Sequence, residues 1–163
     1  GKVYSYSVWH APVRPALDRR SLCHLPGNLD FNAMARALPF LTGRHDFKAF
    51  ADQGSPARTT VRTVKEISLH KKGPLVRLYF TGDSFLYHMV RILAGTILAV
   101  GQGKLTPPDL PGIIKIGDRR AAGKTMPAHG LCLEHVFYEP ALFGPWQLQL
   151  EKESELNVQS TLE

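Results

Sequence analysis

The sequence has 163 residues, 44% of them apolar and 21% charged, a composition typical of a globular domain with one core. No apolar run reaches membrane-spanning length without a histidine or an arginine, which argues against a transmembrane helix and a membrane partner. The net charge is +6, and because residues 151–163 contribute −3, residues 1–150 carry +9. This excess favours an anionic partner such as a nucleic acid. A basic surface without any partner fits the charge equally well.

The two cysteines, Cys23 and Cys132, lie far apart and form no CxxC motif or cysteine–histidine cluster. We expect both to be buried, reduced thiols of an intracellular protein, located in the cytoplasm or in an organelle. The histidines show no metal-ligand spacing either, so we expect no metal site.

The first predicted element is a strand over residues 2–8, which places Tyr4, Tyr6 and Val8 on one face. A connector rich in proline and arginine follows. Next, apolar residues recur at helical spacing from Phe31 to Leu41. Asp30 is the expected N-cap of this helix, and Gly43 is expected to end it.

Two further strands are predicted over residues 61–70 and 75–81, with the letters KKGP between them as a hairpin turn. A long helix over residues 84–100, a short helix from Thr106 and a last strand over residues 131–138 follow. A hairpin with helices before and after it predicts an α+β fold, an antiparallel sheet with helices on one face.

The long helix carries a single fully charged side chain, Arg91. Arg91 lies opposite the broad apolar stripe of the helix, on the same side as Tyr87, His88 and Gly95. A buried guanidinium needs an anion or several acceptors. Either Arg91 pairs with an acidic residue of this domain, or it belongs to a binding site. Asp83, just before the helix, is the expected cap.

Five segments of the chain, in the same order, resemble the tRNA pseudouridine synthases of the TruA family. They cover roughly residues 2–138 and read KVYSY, LTGRHDFKAF, RTTVRTV, GDSFLYHMVRILAGTILAVGQG and AHGLCLEHVFY. Each segment alone is a weak signal, but together they are specific.

The resemblance implies an enzyme that isomerises uridine to pseudouridine in the anticodon arm of tRNA, without metal or cofactor and as a homodimer. It implies that residues 1–140 are the C-terminal half of the catalytic domain, half of a pseudouridine synthase fold. Residues 141–163 are expected to be a flexible tail. In the family, the target base is flipped into a basic cleft, where an aspartate attacks and the base is detached, rotated and rejoined through carbon.

Three positions carry over from the family. The active-site tyrosine corresponds to Tyr4, whose ring can stack on a pyrimidine, although Tyr4 could also be an ordinary sheet residue under a helix. The active-site arginine corresponds to Arg91, which would pair with the catalytic carboxylate and orient it. Leu131 corresponds to the apolar residue that packs against the base. His88, beside Arg91, is a further candidate for substrate contact.

The family's nucleophilic aspartate lies in an R-T-D-A-G-V-H-A motif of the N-terminal half, and nothing like this motif occurs here. Asp46 and Asp83 match no nucleophilic position, and we expect Asp46 to brace a loop. The sequence therefore predicts a fragment that needs an N-terminal half as its partner and is inactive alone. The alternatives are a non-catalytic RNA-binding domain that kept the fold and a related domain that does not bind RNA.

Several cations are candidates for contact with tRNA. The letters GDRRAAGKT imitate a phosphate-binding loop but have one residue too many between the glycines and no preceding strand, so we reject a nucleotide site. Arg119, Arg120 and Lys124 of this loop either contact tRNA phosphates or are merely solvated. Arg58 and Arg62 would line the cleft or contact backbone phosphate.

Overall fold

The computed structural model describes residues 1–137 except 19, 53, 55 and 56. The predicted tail, and the end of the predicted last strand, therefore lie outside the described residues. The six strands are β1 (Lys2–Trp9), β2 (Cys23–His24), β3 (Gly43–Asp46), β4 (Val61–Lys72), β5 (Leu75–Gly82) and β6 (Leu131–Val136). The three helices are α1 (Phe31–Leu41), α2 (Met89–Gly101) and α3 (Asp109–Ile116).

The strands form one mixed, mostly antiparallel sheet in the order β2-β1-β5-β4-β3. β1 pairs antiparallel with β5 along its whole length, and β4 and β5 form the predicted hairpin. The other edge of β1 pairs antiparallel with β6 and, further along, parallel with the two-residue β2. The predicted α+β fold is confirmed.

The core lies between the sheet and the helices, which cover one face. Tyr6, Leu78 and Phe80 point from the sheet into this core and are fully buried beneath α1 and α2. On the opposite face, Val3 and Tyr79 form a much smaller apolar cluster. The predicted division of β1 into two faces is therefore confirmed. No helix within the described residues is long and apolar enough to cross a bilayer.

The predicted ends of α1 are confirmed. The Asp30 carboxylate accepts a hydrogen bond from the Ala33 backbone N–H at 2.8 Å, which satisfies a free donor of the first turn. The helix ends at Leu41, and Gly43 takes a φ of 108°, which a side chain would disfavour. Asp46 braces a loop as expected, because its carboxylate accepts from the Lys48 N–H and the Thr60 hydroxyl.

The predicted start of the long helix is wrong. α2 begins at Met89 rather than residue 84, because His88 takes a left-handed φ of 60° that interrupts helical geometry. Asp83 is not the cap; its carboxylate forms an ion pair with Lys65 at 2.9 Å. Residues 84–88 instead form an extended turn that leads from β5 into α2.

Two smaller expectations also need correction. α3 begins at Asp109 rather than at Thr106, because the Asp109 and Leu110 N–H groups donate to the Thr106 and Pro107 carbonyls in a tighter turn before the helix. The Asp109 carboxylate holds this turn by accepting from both the N–H and the hydroxyl of Thr106. Cys132 is exposed rather than buried, since it lies on β6 at the margin of the sheet, while Cys23 is buried as expected. Both cysteines are free thiols. The short strands β2 and β3 were not predicted.

Candidate active site

A cavity of about 500 Å³ opens where β5 leads into α2. It brings together Tyr4 from β1, the 85–91 segment and Leu131 at the start of β6. Among the described residues, its lining consists of Lys2, Tyr4, Ala57, Phe85, Leu86, Tyr87, His88, Met89, Val90, Arg91, Ala128 and Leu131. Four of the residues singled out in the sequence, Tyr4, His88, Arg91 and Leu131, thus share one cavity.

Arg91 is half-buried in the first turn of α2, and its Nε donates to the carbonyl oxygen of Met126. The two backbones are also joined, because the Met126 N–H donates to the Arg91 carbonyl at 3.3 Å. Among the described residues, no carboxylate forms an ion pair with Arg91 and its terminal nitrogens have no acceptor. The guanidinium is therefore anchored at one end, with its planar fork available for an anion.

Two glycines allow the chain around Met126 to lie directly against α2. A Cβ on Gly95 would stand 2.0 Å from the Lys124 carbonyl oxygen, and one on Gly123 would stand 2.4 Å from the Thr96 nitrogen. The Gly123 N–H donates to the Thr96 hydroxyl at 2.9 Å. The absence of a side chain at Gly95 therefore lets the backbone of the 123–126 segment contact α2 directly.

Tyr6 fixes the same segment from the sheet side. Its hydroxyl donates to the Pro127 carbonyl at 2.7 Å, and burial raises the pKa of this phenol well above its usual range. Gly130 is needed here, because a Cβ would stand 2.7 Å from the Tyr6 ring. Tyr6 and Gly130 therefore set where Leu131 enters the cavity. From the sequence, Tyr6 is predicted only to share one face of the first strand with Tyr4 and Val8.

The remaining wall of the cavity is aromatic and apolar. The Tyr4 ring is half-buried and meets Phe85 edge to face, with centroids 5.4 Å apart and planes at 89°. Leu131 packs against the core and lines the same cavity, on the strand beside Tyr4 and on the same face of the sheet. A flat unsaturated ring could pack against Tyr4 and Leu131 in the cavity that Arg91 also lines.

His88 is held by a carboxylate that the sequence analysis missed. Asp52 Oδ2 lies 2.8 Å from His88 Nδ1, while Arg119 Nε donates to Asp52 Oδ1 at 2.9 Å. The Thr125 hydroxyl also donates to Asp52 Oδ2, at 3.1 Å. Burial raises the pKa of Asp52, but the hydrogen bonds from His88, Arg119 and Thr125 outweigh burial and lower it overall. Asp52 and His88 are 36 positions apart in the sequence, so no local pattern predicts this pair.

The five predicted tRNA-contacting cations lie outside the cavity lining. Arg119 donates inward, to Asp52 and also to Gly123 and Thr125. Arg62 is half-buried and donates to backbone carbonyls of the 59–61 segment. The other three cations, Arg58, Arg120 and Lys124, are exposed, and Arg120 forms an ion pair with Asp118 at 2.7 Å.

Lys124 and Arg120 also border a second cavity of about 290 Å³, on the other side of the 123–126 segment. None of these contacts tests a role in RNA binding, so the assignment of the five cations stays a prediction. Within the described residues, no three histidine, cysteine or acidic side chains cluster closely enough to hold a metal ion.

The arrangement defines an α+β domain with an open cavity in which an aromatic ring, an apolar side chain and an arginine meet. Comparison with known proteins identifies the family of this domain: residues 37–139 match the family described as tRNA pseudouridine synthase. The chain belongs to this family, as its resemblance to the TruA enzymes predicts.

Similar proteins with names of their own point to the same family. The chain is 42% identical over 138 residues to tRNA pseudouridine synthase A 2 of Clostridium perfringens, covering 85% of this chain and 57% of that protein. It is 45% identical over 137 residues to tRNA pseudouridine synthase A of Caldicellulosiruptor bescii and, to the same extent, of Geotalea uraniireducens. Each of these two comparisons covers 84% of this chain and 56% of the relative. The chain thus spans little more than half the length of these relatives.

Proposed function

We propose that the protein containing this chain is a tRNA pseudouridine synthase that isomerises uridine in the anticodon arm of tRNA. The observation that carries the proposal is that Arg91, anchored through Nε and without an acceptor for its terminal nitrogens among the described residues, lines the same cavity as Tyr4 and Leu131. Membership of the family and the names of the relatives support the same reaction.

In this proposal the chain supplies one wall of the active site. The flipped uracil packs against Tyr4 and Leu131, and the fork of Arg91 pairs with an aspartate, which this pair keeps ionised and correctly oriented. The aspartate comes from an N-terminal half, since the R-T-D-A-G-type motif is absent from this sequence.

The reaction needs no net oxidation and no co-reactant. The bond from uracil N1 to ribose C1′ breaks, the base turns within the cavity, and a bond from C5 to C1′ forms. C5 loses a proton and N1 gains one, so substrate and product have the same atoms. The residues of the cavity therefore have to hold a detached base and stabilise charge, which an arginine and an aromatic ring can do.

The cations around the cavity are proposed to bind the body of the tRNA. Arg58, Arg62, Arg120 and Lys124 are proposed to contact backbone phosphates, which gives affinity without sequence preference. Arg119 stays a weaker candidate because its donors already have acceptors within the protein. We also propose that the protein forms a homodimer and is located in the cytoplasm.

The test is to incubate unmodified tRNA with the full-length protein and, separately, with residues 1–163, and to map pseudouridine. We expect product only from the full-length protein, because residues 1–163 lack the nucleophile. Product from residues 1–163 above a no-protein control would contradict the active-site assignment. Binding of tRNA by the full-length protein without product would indicate the non-catalytic RNA-binding alternative. Absence of binding even at low salt would indicate a domain that does not bind RNA.

A further inference from the structure

We propose that Asp52 is a positioning residue for this active site: it orients the His88 imidazole so that Nε2 accepts a hydrogen bond from the nucleotide in the cavity. The inference rests on the proposed function, because the ligand of His88 is taken to be the RNA substrate. It adds a residue that no motif of the sequence marks.

The first observation is that both partners are held. His88 Nδ1 lies 2.8 Å from Asp52 Oδ2, and the same carboxylate receives Arg119 Nε at 2.9 Å and the Thr125 hydroxyl at 3.1 Å. With donors on both of its oxygens, the carboxylate has little freedom to turn. Arg119 is itself anchored, because it also donates to the Gly123 carbonyl at 2.9 Å. A continuous series of hydrogen bonds therefore runs from Gly123 through Arg119 and Asp52 and fixes the imidazole of His88.

The second observation is the unusual backbone conformation of His88. His88 has a φ of 60°, which is strained for a residue with a side chain and persists only where its surroundings enforce it. The Tyr87 ring stacks on the imidazole with centroids 3.8 Å apart. The Asp52 N–H donates to the Tyr87 carbonyl at 3.4 Å, so Asp52 restrains the backbone as well as the ring. Strain of this kind is concentrated at functional sites.

The chemistry follows from the charge of Asp52. Its lowered pKa keeps the carboxylate ionised at neutral pH, and an ionised carboxylate only accepts hydrogen bonds. Nδ1 must therefore carry the hydrogen, so that in the neutral ring Nε2 carries the lone pair. Nε2 has no hydrogen-bond partner in the part of the chain that the structure describes, and His88 lines the cavity. An acceptor is thus presented to the ligand.

The first experiment reads the imidazole directly. The full-length protein is labelled with 15N-histidine, and the ring-nitrogen shifts of His88 are recorded at a pH high enough for a neutral ring, with His88→Gln used for assignment. We expect the Nδ1–H tautomer in the wild type and loss of this preference in Asp52→Asn. A wild-type ring in the Nε2–H tautomer would overturn the proposal even if no Asp52 variant folds.

The second experiment is a double-mutant cycle on single-turnover pseudouridine formation at saturating tRNA. Asp52→Asn should slow the rate about 10- to 100-fold, as expected when a residue that orients a contacting group is lost. In a His88→Gln background the same change should matter less than about twofold, because Asp52 acts through His88. Equal losses in both backgrounds would show a merely structural role and overturn the proposal.

Asp109→Asn is the matched control. Asp109 also accepts two hydrogen bonds, from the N–H and hydroxyl of Thr106, but it is absent from the cavity lining. It should leave the rate unchanged, and a loss like that of Asp52→Asn would contradict a specific effect. If Asp52→Asn does not fold, Thr125→Val removes one donor from the same carboxylate and takes its place in the cycle. A wild type that makes no pseudouridine refutes the proposed function, whereas the tautomer still decides whether Asp52 orients His88.

Discussion

Arg91 lines the cavity, and its Nε donates to the Met126 carbonyl, while its terminal nitrogens have no acceptor among the described residues. Lysine could supply a charge at this position but neither the second attachment nor a planar fork. The residue is therefore suited to orient a carboxylate, which is a different task from attracting RNA.

Arg91→Lys in the full-length protein should impair catalysis far more than tRNA binding. Loss of a bidentate charge-assisted contact should cost on the order of 2–4 kcal/mol of transition-state stabilisation, a rate loss of roughly 30- to 1000-fold. Single-turnover kinetics at saturating tRNA, beside equilibrium binding, measure the two effects. Lys124→Ala should do the reverse, weakening binding in a salt-dependent way. If Arg91→Lys lowered affinity in proportion to its rate loss, Arg91 would be a phosphate contact.

A second prediction at the residue scale concerns the contribution of Asp52 to the stability of the fold in acid. Because hydrogen bonds lower the pKa of Asp52 below the usual aspartate value of 3.8, its ionised form stabilises the fold above that pH. This contribution should be lost as the pH falls below 3.8 through the lowered folded-state value. Urea unfolding of wild type and Asp52→Asn should therefore show a difference that is constant near neutral pH and shrinks in acid. A difference independent of pH would show that the ionised carboxylate is not the cause.

The contact of α2 with the 123–126 segment connects these residues. It has no room for side chains at Gly95 or Gly123, and it carries the Met126 carbonyl to Arg91. The helix, the segment and the sheet residue Tyr6 thus form one support for the active-site arginine.

Gly95→Ala should destabilise the protein by about 1–3 kcal/mol, because the new methyl group meets a backbone carbonyl that cannot move aside. It should also slow pseudouridine formation by displacing Met126. Gly112→Ala in α3 is the control, since a Cβ there meets nothing within 4 Å. It should stabilise the helix by about 0.5–1 kcal/mol. Chemical denaturation measures both, and the same sign for both changes would contradict the contact.

The sheet as a whole ends at β6, whose outer edge has no paired strand within the described residues. Leu133 and Val136 on this strand are 48% and 40% exposed. An apolar edge of this kind invites pairing with another chain unless something covers it. We propose that the N-terminal half covers it, continuing the sheet.

Residues 1–163 alone should therefore be poorly soluble or self-associate, whereas the full-length protein should have a defined size. Sedimentation over a range of concentrations measures this. Leu133→Lys should reduce association of residues 1–163, because a charge on an edge strand opposes pairing. A monodisperse wild-type monomer that unfolds cooperatively would count against a missing half.

The elements that a local pattern could predict are those whose apolar residues repeat regularly. Alternation predicted β1 and the β4–β5 hairpin, and helical spacing with Asp30 as cap predicted α1. The start of α2 escaped this reasoning, because residues 84–88 continue the apolar spacing while a left-handed His88 breaks the helix. The two-residue β2 and four-residue β3 are too short to show a period.

The kinds of residue that this site contains could be read from the amino-acid order. Arg91, Tyr4 and Leu131 were assigned from motifs, and the fold class from the order of elements, because both depend on residues close together in the chain. The Asp52 network could not be assigned so, since Asp52 meets Arg119 across 67 residues and Thr125 across 73. Hydrogen bonds between such distant groups form only once packing against the sheet brings the loops together, and so they depend on the completed fold.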